Sequence, residues 1–233
     1  MPDSFAPLDV LYREDELVAI NKPGGLAVQP DKTGNESALS AVSQLCGRDA
    51  YVVHRIDRPV SGVVLFACSR KQAAAMSEIL RDGKLEKLYW AVVDTAPPGE
   101  SGTLENRIIA DTRANKSRTI ATEVAADRDT DRRGRHAVLE YTVVGKSDRY
   151  WMLEVRPKTG RHHQIRAQLA AIGCHIKGDV KYGARRTNPG GGIHLHARSV
   201  SFRHPITGAA VHIVAPPPTG DPLWRLLSEQ AGG

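Results

Sequence analysis

Sulfur and aromatic surface are both scarce in this chain: three cysteines, three methionines and 5% aromatic residues among 233. Cys46, Cys68 and Cys174 are odd in number and widely spaced, which suits neither a disulfide framework nor a zinc site of paired cysteines. They read as ordinary reduced thiols. No apolar run approaches the roughly 20 residues of a membrane span, and the start MPDSFAPLDV lacks the charged-then-apolar order of a signal peptide. The chain therefore reads as cytoplasmic, with no membrane partner. No internal repeat is visible. What is present is a 41% hydrophobic content, enough to fill the core of one large domain or two small ones.

The net charge of +6 is unevenly placed. Residues 156–186 carry eight Lys or Arg (Arg156, Lys158, Arg161, Arg166, Lys177, Lys181, Arg185 and Arg186) against the single acid Asp179, a local charge of +7. The rest of the chain is close to neutral. Such a band is either a solvated basic face or the footprint of a polyanion such as nucleic acid.

Strand patterns outnumber helices. LYREDELVAINKP (11–23) reads as a hairpin around Glu14 and Asp15, followed by a Pro-Gly-Gly turn and a short strand LAVQ. GVVLFAC (62–68) has the apolar, β-branched run of a buried strand. Ser69 then caps a helix whose Ala73, Met76, Ile79 and Leu80 recur at helical spacing until Gly83. KLEKLYWAVV, HAVLEYTVV and RYWMLEVRP predict further strands, and the charged ADRDTDRRGRH (126–136) predicts a loop. GRHHQIRAQLAAIG (160–173) predicts a helix with Ile165, Leu169 and Ile172 on one face. IHLHARSVSF and AAVHIVAP predict two closing strands, and DPLWRLLSEQ a terminal helix. Strands and helices that are not strictly interleaved imply an α+β fold with a large, mainly antiparallel sheet.

Within YVVHRIDRPVSGVVLFA (51–67), Asp57 stands between Arg55 and Arg58 just before the buried strand. A turn aspartate can bond nearby amides or pair with the flanking arginines. Alternatively, those arginines keep the carboxylate ionised and place a phosphate beside it, so that it acts on a nucleotide as nucleophile or base. The histidine pairs His162–His163 and His194–His196 invite a metal reading, but no acid lies at the offset of a His-Glu-x-x-His signature, and no metal is expected. His163 and Arg166 are three apart and share a face of the predicted helix, which favours a phosphate-facing role.

Five blocks, HRIDRPVSGVVLFA, EKLYWAVV, KTGRHHQIRAQL, GDVKYGA and IHLHARSVSFRHP, resemble in this order the RluA-type pseudouridine synthases, over about residues 10–214. The resemblance implies the pseudouridine synthase fold: a large, mainly antiparallel or mixed sheet with flanking helices and an RNA-binding cleft, in a single catalytic domain over 1–233. It implies isomerisation of uridine to pseudouridine in rRNA or tRNA without a cofactor. By similarity Asp57 is the catalytic aspartate, attacking C1′ of the sugar or C6 of the ring or stabilising a glycal-type intermediate. Tyr89 would stack on the target base and serve in proton transfer, and Arg166 would pair with Asp57. His54, Arg55, Arg58, Arg161, His163 and Ile165, in the same blocks, would bind the substrate. The target uridine must be flipped out of its helix to be reached. Val60 departs from the family, which commonly has Thr there, and a turn hydrogen bond is expected to be lost with that hydroxyl. Only about ten residues precede the first family-like strand, so no separate N-terminal RNA-binding domain is expected. Two rivals share some of these features: a catalytically inactive RNA-binding protein of the same fold, and an Asp-dependent nucleoside or glycoside hydrolase. The hydrolase needs a second carboxylate, for which the matching blocks offer only Glu86 and Asp179.

Overall fold

The computed structural model describes residues 8–14, 16–30, 36–111, 113–120 and 134–232. They form two compact units, Met1–Lys87 with His196–Asp221 and Leu88–Leu195 with Pro222–Gly233. All but one of the strand pairings within the units are antiparallel, so the fold is the expected α+β with a mixed, mainly antiparallel sheet.

In the first unit β1 (Val10–Glu14) and β2 (Leu17–Lys22) form the anticipated hairpin, with Glu16 at positive φ in its turn; Asp15 lies outside the described residues. Leu17–Ile20 of β2 are buried, and β2 pairs antiparallel with Gly62–Ala67 of β4 (Ser61–Ala67). Every residue of β4 is buried. Its start pairs in parallel with β10 (Leu195–Arg203) at Ser61 and Gly62, its end antiparallel with the short β3 (Tyr51–Val52), and β11 (Ala210–Val214) adds to β10. Leu17, Ala19, Val63, Leu65, Val200, Phe202 and Ile213 make the core of this unit with Met76 of α2 (Arg70–Arg81). Ser69 caps α2 by accepting from the Gln72 amide, and Gly83 follows at positive φ, as the spacing predicted.

Several expectations are corrected. LAVQ (26–29) is no strand; it makes one isolated bridge, from Ala27 to Ser37. The sequence reading assigned no helix to residues 38–46, yet α1 (Ala38–Cys46) is built there by a capping box between Ser37 and Ser40 and ends at Gly47 in the left-handed conformation. Cys46, at the end of α1, and Cys68, just past β4, have Cα atoms 6.4 Å apart and are joined in a disulfide, so two of the three cysteines are not the free thiols expected. Neighbourhood across 22 residues of chain is not visible in spacing. Cys174 is buried and a free thiol, as expected, and burial pushes it up to about 11.

The second unit is built on antiparallel strands in the order β5 (Glu86–Val93), β9 (Trp151–Pro157), β8 (Arg135–Lys146), β6 (Ser101–Asp111) and β7 (Lys116–Ile120). β6 and β7 carry few apolar residues and were not anticipated. Most of the predicted charged loop, 126–133, lies outside the described residues, and its end belongs to β8. α3 (Gln164–Ala171) is shorter than the 160–173 expected, because His163 takes a left-handed conformation, φ 52°, that a helix cannot propagate through. α4 (Pro222–Gln230) buries Trp224 and Leu227 against Trp90, Val92 and Met152. Among the described residues no helix is long and apolar enough to cross a membrane.

Gly62 holds the tightest approach in the first unit. At φ 111° a Cβ would sit 2.2 Å from the Ala197 carbonyl oxygen. Gly62→Ala is expected to destabilise the protein by at least about 2–3 kcal/mol, from left-handed strain plus the clash, read as a lowered urea midpoint.

Candidate active site

The carboxylate of Asp57 sits, half-buried, in the loop that leads from β3 into β4. Four contacts shape this loop. The Val53 amide donates to the Leu65 carbonyl at 3.0 Å, and the Leu65 amide donates to Nε2 of His54 at 3.3 Å. Burial, with Lys87 nearby, pulls the His54 imidazole down to about 3, so it is neutral and fit to accept that bond. The Val60 amide donates to the Asp57 carbonyl at 3.0 Å, so the turn that lacks the family's threonine hydroxyl is closed by backbone, with Val60 buried. The Ser61 hydroxyl meets Nδ1 of His196 at 2.9 Å, and Nε2 of His196 donates to the Ala215 carbonyl at 3.1 Å. His196 is fully buried and pulled down to about 4, and the neutral ring accepts at Nδ1 while donating at Nε2.

The loop also docks on the Pro23-Gly24-Gly25 turn. The Gly25 amide donates to the Arg58 carbonyl at 2.8 Å, and Nε of Arg58 returns a bond to the Gly25 carbonyl at 2.8 Å. Arg55 is exposed, and its Nη1 reaches Oε1 of Gln29 at 3.2 Å. A residue that sequence reasoning missed completes the arrangement: Lys22, the last of β2, has no exposed surface. Its Nζ donates to the carbonyls of Leu26, Pro23 and Arg58 at 2.8, 2.9 and 3.1 Å. Desolvation pulls its ammonium down to about 7, against the charge of Asp57, which favours the protonated form. The available signal was a lysine closing a strand that opens with four apolar residues, directly before Pro-Gly-Gly.

The second unit holds the other expected residues. Tyr89 is buried on β5 opposite Val155 of β9. Arg166 on α3 is 4% exposed and forms a two-point ion pair with Asp179, Nε to Oδ2 at 2.7 Å and Nη2 to Oδ1 at 2.8 Å. Its guanidinium also lies 4.8 Å from the ring centroid of Tyr182. Tyr182 belongs to a single 3-10 turn, Val180–Tyr182, and its hydroxyl accepts from the Ser117 amide at 2.7 Å and meets Nδ1 of His163 at 2.9 Å. His163 and Arg166 thus converge on Tyr182, although His163 precedes the helix proper. Oε1 of Gln164 accepts from the Arg161 amide and from Thr159, while Nε2 of Gln168 donates to the carbonyls of Leu104 and Ala137. The whole run Gln164–Leu169, Ile165 included, is buried, so the polar side of α3 is spent on the fold and not on solvent. Nε of Arg161 donates to the His136 carbonyl. Asp179 is committed to Arg166, and Glu86 is exposed at the start of β5, as expected.

The basic band is thinner than its composition. Arg166 and Asp179 neutralise each other in the interior, and Arg156 and Lys158 pair with Glu154 and Glu140. Arg185 and Arg186 remain on exposed chain.

The chain matches the RNA pseudouridylate synthase family over residues 16–171. It is 33% identical to the tRNA pseudouridine synthase C of Haemophilus ducreyi, covering 97% of this chain and 96% of that protein. It is 35% identical to the ribosomal large subunit pseudouridine synthase D of Xylella fastidiosa, covering 95% of this chain and 69% of that one. The solved human RNA pseudouridylate synthase domain containing 4 superposes with a TM-score of 0.75 at 23% identity, over 96% of this chain and 92% of that one, and shares the fold. An α+β mixed sheet with these relatives defines an RNA-modifying isomerase. The chain belongs to the RNA pseudouridylate synthase family.

Two outcomes follow. Because the folded pKa of Lys22 lies below its ordinary value, the unfolded chain binds a proton between about pH 7 and 10 that the folded chain has released, and stability rises with pH in that window. Urea melts at pH 7 and 9 are expected to move the stability of the wild type upward relative to Lys22→Met, by up to about 1.4 kcal/mol per pH unit. Asp179→Asn leaves the Arg166 guanidinium buried without its counter-charge and is expected to cost about 3–5 kcal/mol in the same measurement.

Proposed function

We propose that this enzyme isomerises a uridine of tRNA to pseudouridine in the cytoplasm, with Asp57 as the catalytic aspartate. The glycosidic C1′–N1 bond breaks, the base turns, and C1′ bonds to C5, whose proton is released as N1 regains one. Atoms and electrons balance without an added reactant. The observation that carries the reading is the carboxylate of Asp57, half-buried and flanked by Arg55 and Arg58, in a loop closed by the Asp57–Val60 bond and docked on the Pro23-Gly24-Gly25 turn. Such a group can attack C1′, add to C6 or stabilise a glycal, and each route needs it ionised and held still.

Tyr89 stacks on the flipped base, while Arg166, expected as the charge partner of Asp57, is instead committed to Asp179 and serves by fixing α3, because a buried guanidinium takes the counter-ion that the fold sets beside it. Arg55, Arg58 and Arg161 bind the RNA backbone, where guanidinium forks match phosphate, and His54, His163 and Ile165 shape the substrate pocket. The chain acts as one catalytic domain, and the basic side chains of residues 177–186 meet further phosphates. Support for tRNA comes from the 33% identity, over 97% of this chain, to a relative named tRNA pseudouridine synthase C. A compact surface of this kind reads loop shape and unstacked bases.

Mapping pseudouridine in tRNA and rRNA from cells with and without the gene tests the reading, the loss of one tRNA site being the expected result. In vitro, Asp57→Asn is expected to lower tritium release from 5-labelled uridine in that tRNA below detection while RNA affinity stays within about twofold. A stem-loop of roughly 16–20 nucleotides around the site should suffice as substrate. Arg185→Ala with Arg186→Ala should flatten the salt dependence of RNA binding between about 50 and 200 mM. Loss of an rRNA site alone would transfer the assignment to ribosomal RNA.

A further inference from the structure

The bond between Cys46 and Cys68 closes a covalent ring of chain, and Asp57 stands at its middle, 11 residues from each cysteine. The ring contains β3, the Asp57 loop and all of β4. α1 carries the constraint to the other side of that loop. At its N-terminus the amides of Ala38 and Leu39 donate to the carbonyls of Ala27 and Val28 at 2.9 and 3.0 Å. This segment lies between Gly25, which bonds the Arg58 carbonyl, and Gln29, which accepts from Arg55. The neighbours of Asp57 are thus held by chain that α1 anchors.

The far end of α1 has little else to hold it. Its buried residues, Ala38 and Val42, belong to its first half. Around its last turn, among the described residues, Nη2 of Arg13 reaches the Leu45 carbonyl at 3.5 Å, Arg48 pairs with Glu16 on the surface, and the Ala50 amide donates to Ser43. Exposed pairs of this kind contribute little, so the disulfide is the main tether.

In a cytoplasmic protein such a tether is seldom permanent, because the thiols of that compartment reduce the disulfides they can reach. This one is within reach. Cys46 is half-buried, and both cysteines line a cavity of about 350 Å³ with Arg13, Arg48, Glu14 and Glu16. Guanidinium forks match carboxylates, and glutamates accept from an ammonium, so the lining complements a small zwitterionic thiol of the glutathione class. Positive charge beside the attacked sulfur also stabilises the thiolate that leaves.

We propose that Cys46 and Cys68 form a thiol–disulfide exchange site through which a low-molecular-weight thiol of the glutathione class sets the order of the Asp57 ring. The small thiolate attacks Sγ of Cys46, the more exposed of the two; the Cys46–Cys68 bond breaks as the mixed disulfide forms, and Cys68 leaves as a thiolate that takes a proton. A second small thiol then displaces Cys46, so two thiols become one disulfide and two electrons pass to the protein. With the ring open, the last turn of α1 is released and the Asp57 loop loses part of its support, which slows the chemical step. The proposal rests on the cytoplasmic reading and on Asp57 being the catalytic carboxylate.

The test equilibrates the full chain in buffers of reduced and oxidised glutathione, quenches with acid, and reads the cysteines by mass spectrometry with peptide mapping. Tritium release from 5-labelled substrate RNA is measured in each buffer. The expected result is a reversible two-electron passage from disulfide to dithiol, with glutathione on Cys46 in the intermediate, and a kcat at least about threefold lower in the dithiol. Cys46→Ser is expected to show the lower kcat in every buffer. A disulfide that survives the most reducing buffer without denaturant overturns the proposal, as do cysteines that oxidised glutathione does not close. A kcat that differs by less than threefold between the two states, or a Cys46→Ser variant with the kcat of the disulfide form, overturns it equally. Asp57→Asn is run beside them: appreciable turnover by that variant removes the assignment of Asp57, while the exchange step, read by mass alone, is decided separately.

Discussion

At residue 62 the backbone of β4 runs so near that of β10 that no side chain can stand between them, and much of the first unit follows from this approach. It allows the parallel pairing of β4 with β10 at Ser61 and Gly62, where the Ser61 hydroxyl reaches the buried ring of His196. It also sets the height at which the preceding loop must leave the strand. β4 is buried at every position and paired on both edges, so the loop carrying Asp57 hangs from a strand held on both sides. A catalytic loop gains precision from a rigid element beneath it.

Buried charge does the remaining work, and it is handled differently in the two units. In the first, Lys22 donates to three backbone carbonyls with the charge of Asp57 also favouring its protonated form, and burial pulls its pKa to about 7. In the second, Arg166 faces a full carboxylate in a bidentate pair and the ring of Tyr182 besides. A guanidinium cannot shed its proton at any ordinary pH, so its burial demands a counter-ion, whereas an ammonium can tolerate neutral partners. Neither arrangement maximises stability; both specify where a backbone segment or helix must lie.

The hairpin, the buried strand after Asp57, the Ser69-capped helix and the strands around Tyr89 and Val155 were legible because each obeys a local rule: alternation, an apolar run or a cap. α1 was missed because its signal is a Ser–Ser capping box in a weakly apolar stretch, and β6 and β7 because their exposed faces leave few apolar residues to alternate. His163 shortened α3 through a left-handed backbone that no propensity for histidine announces. The order of five motifs made Asp57 conspicuous, while Lys22, outside all five, was silent: a lysine at a strand end is ordinarily solvated.

The sequence by itself determined the class of the protein, the α+β character of its sheet and the carboxylate on which its chemistry is proposed to turn, since periodicity, charge and motif order are properties of neighbours along the chain. Only the tertiary structure decided the partners. It joined Cys46 to Cys68, gave Arg166 to Asp179, and set Lys22 against the Arg58 carbonyl 36 residues away. Those contacts exist because buried polar groups must find one another wherever the fold brings them, and that requirement acts through space and not along the chain.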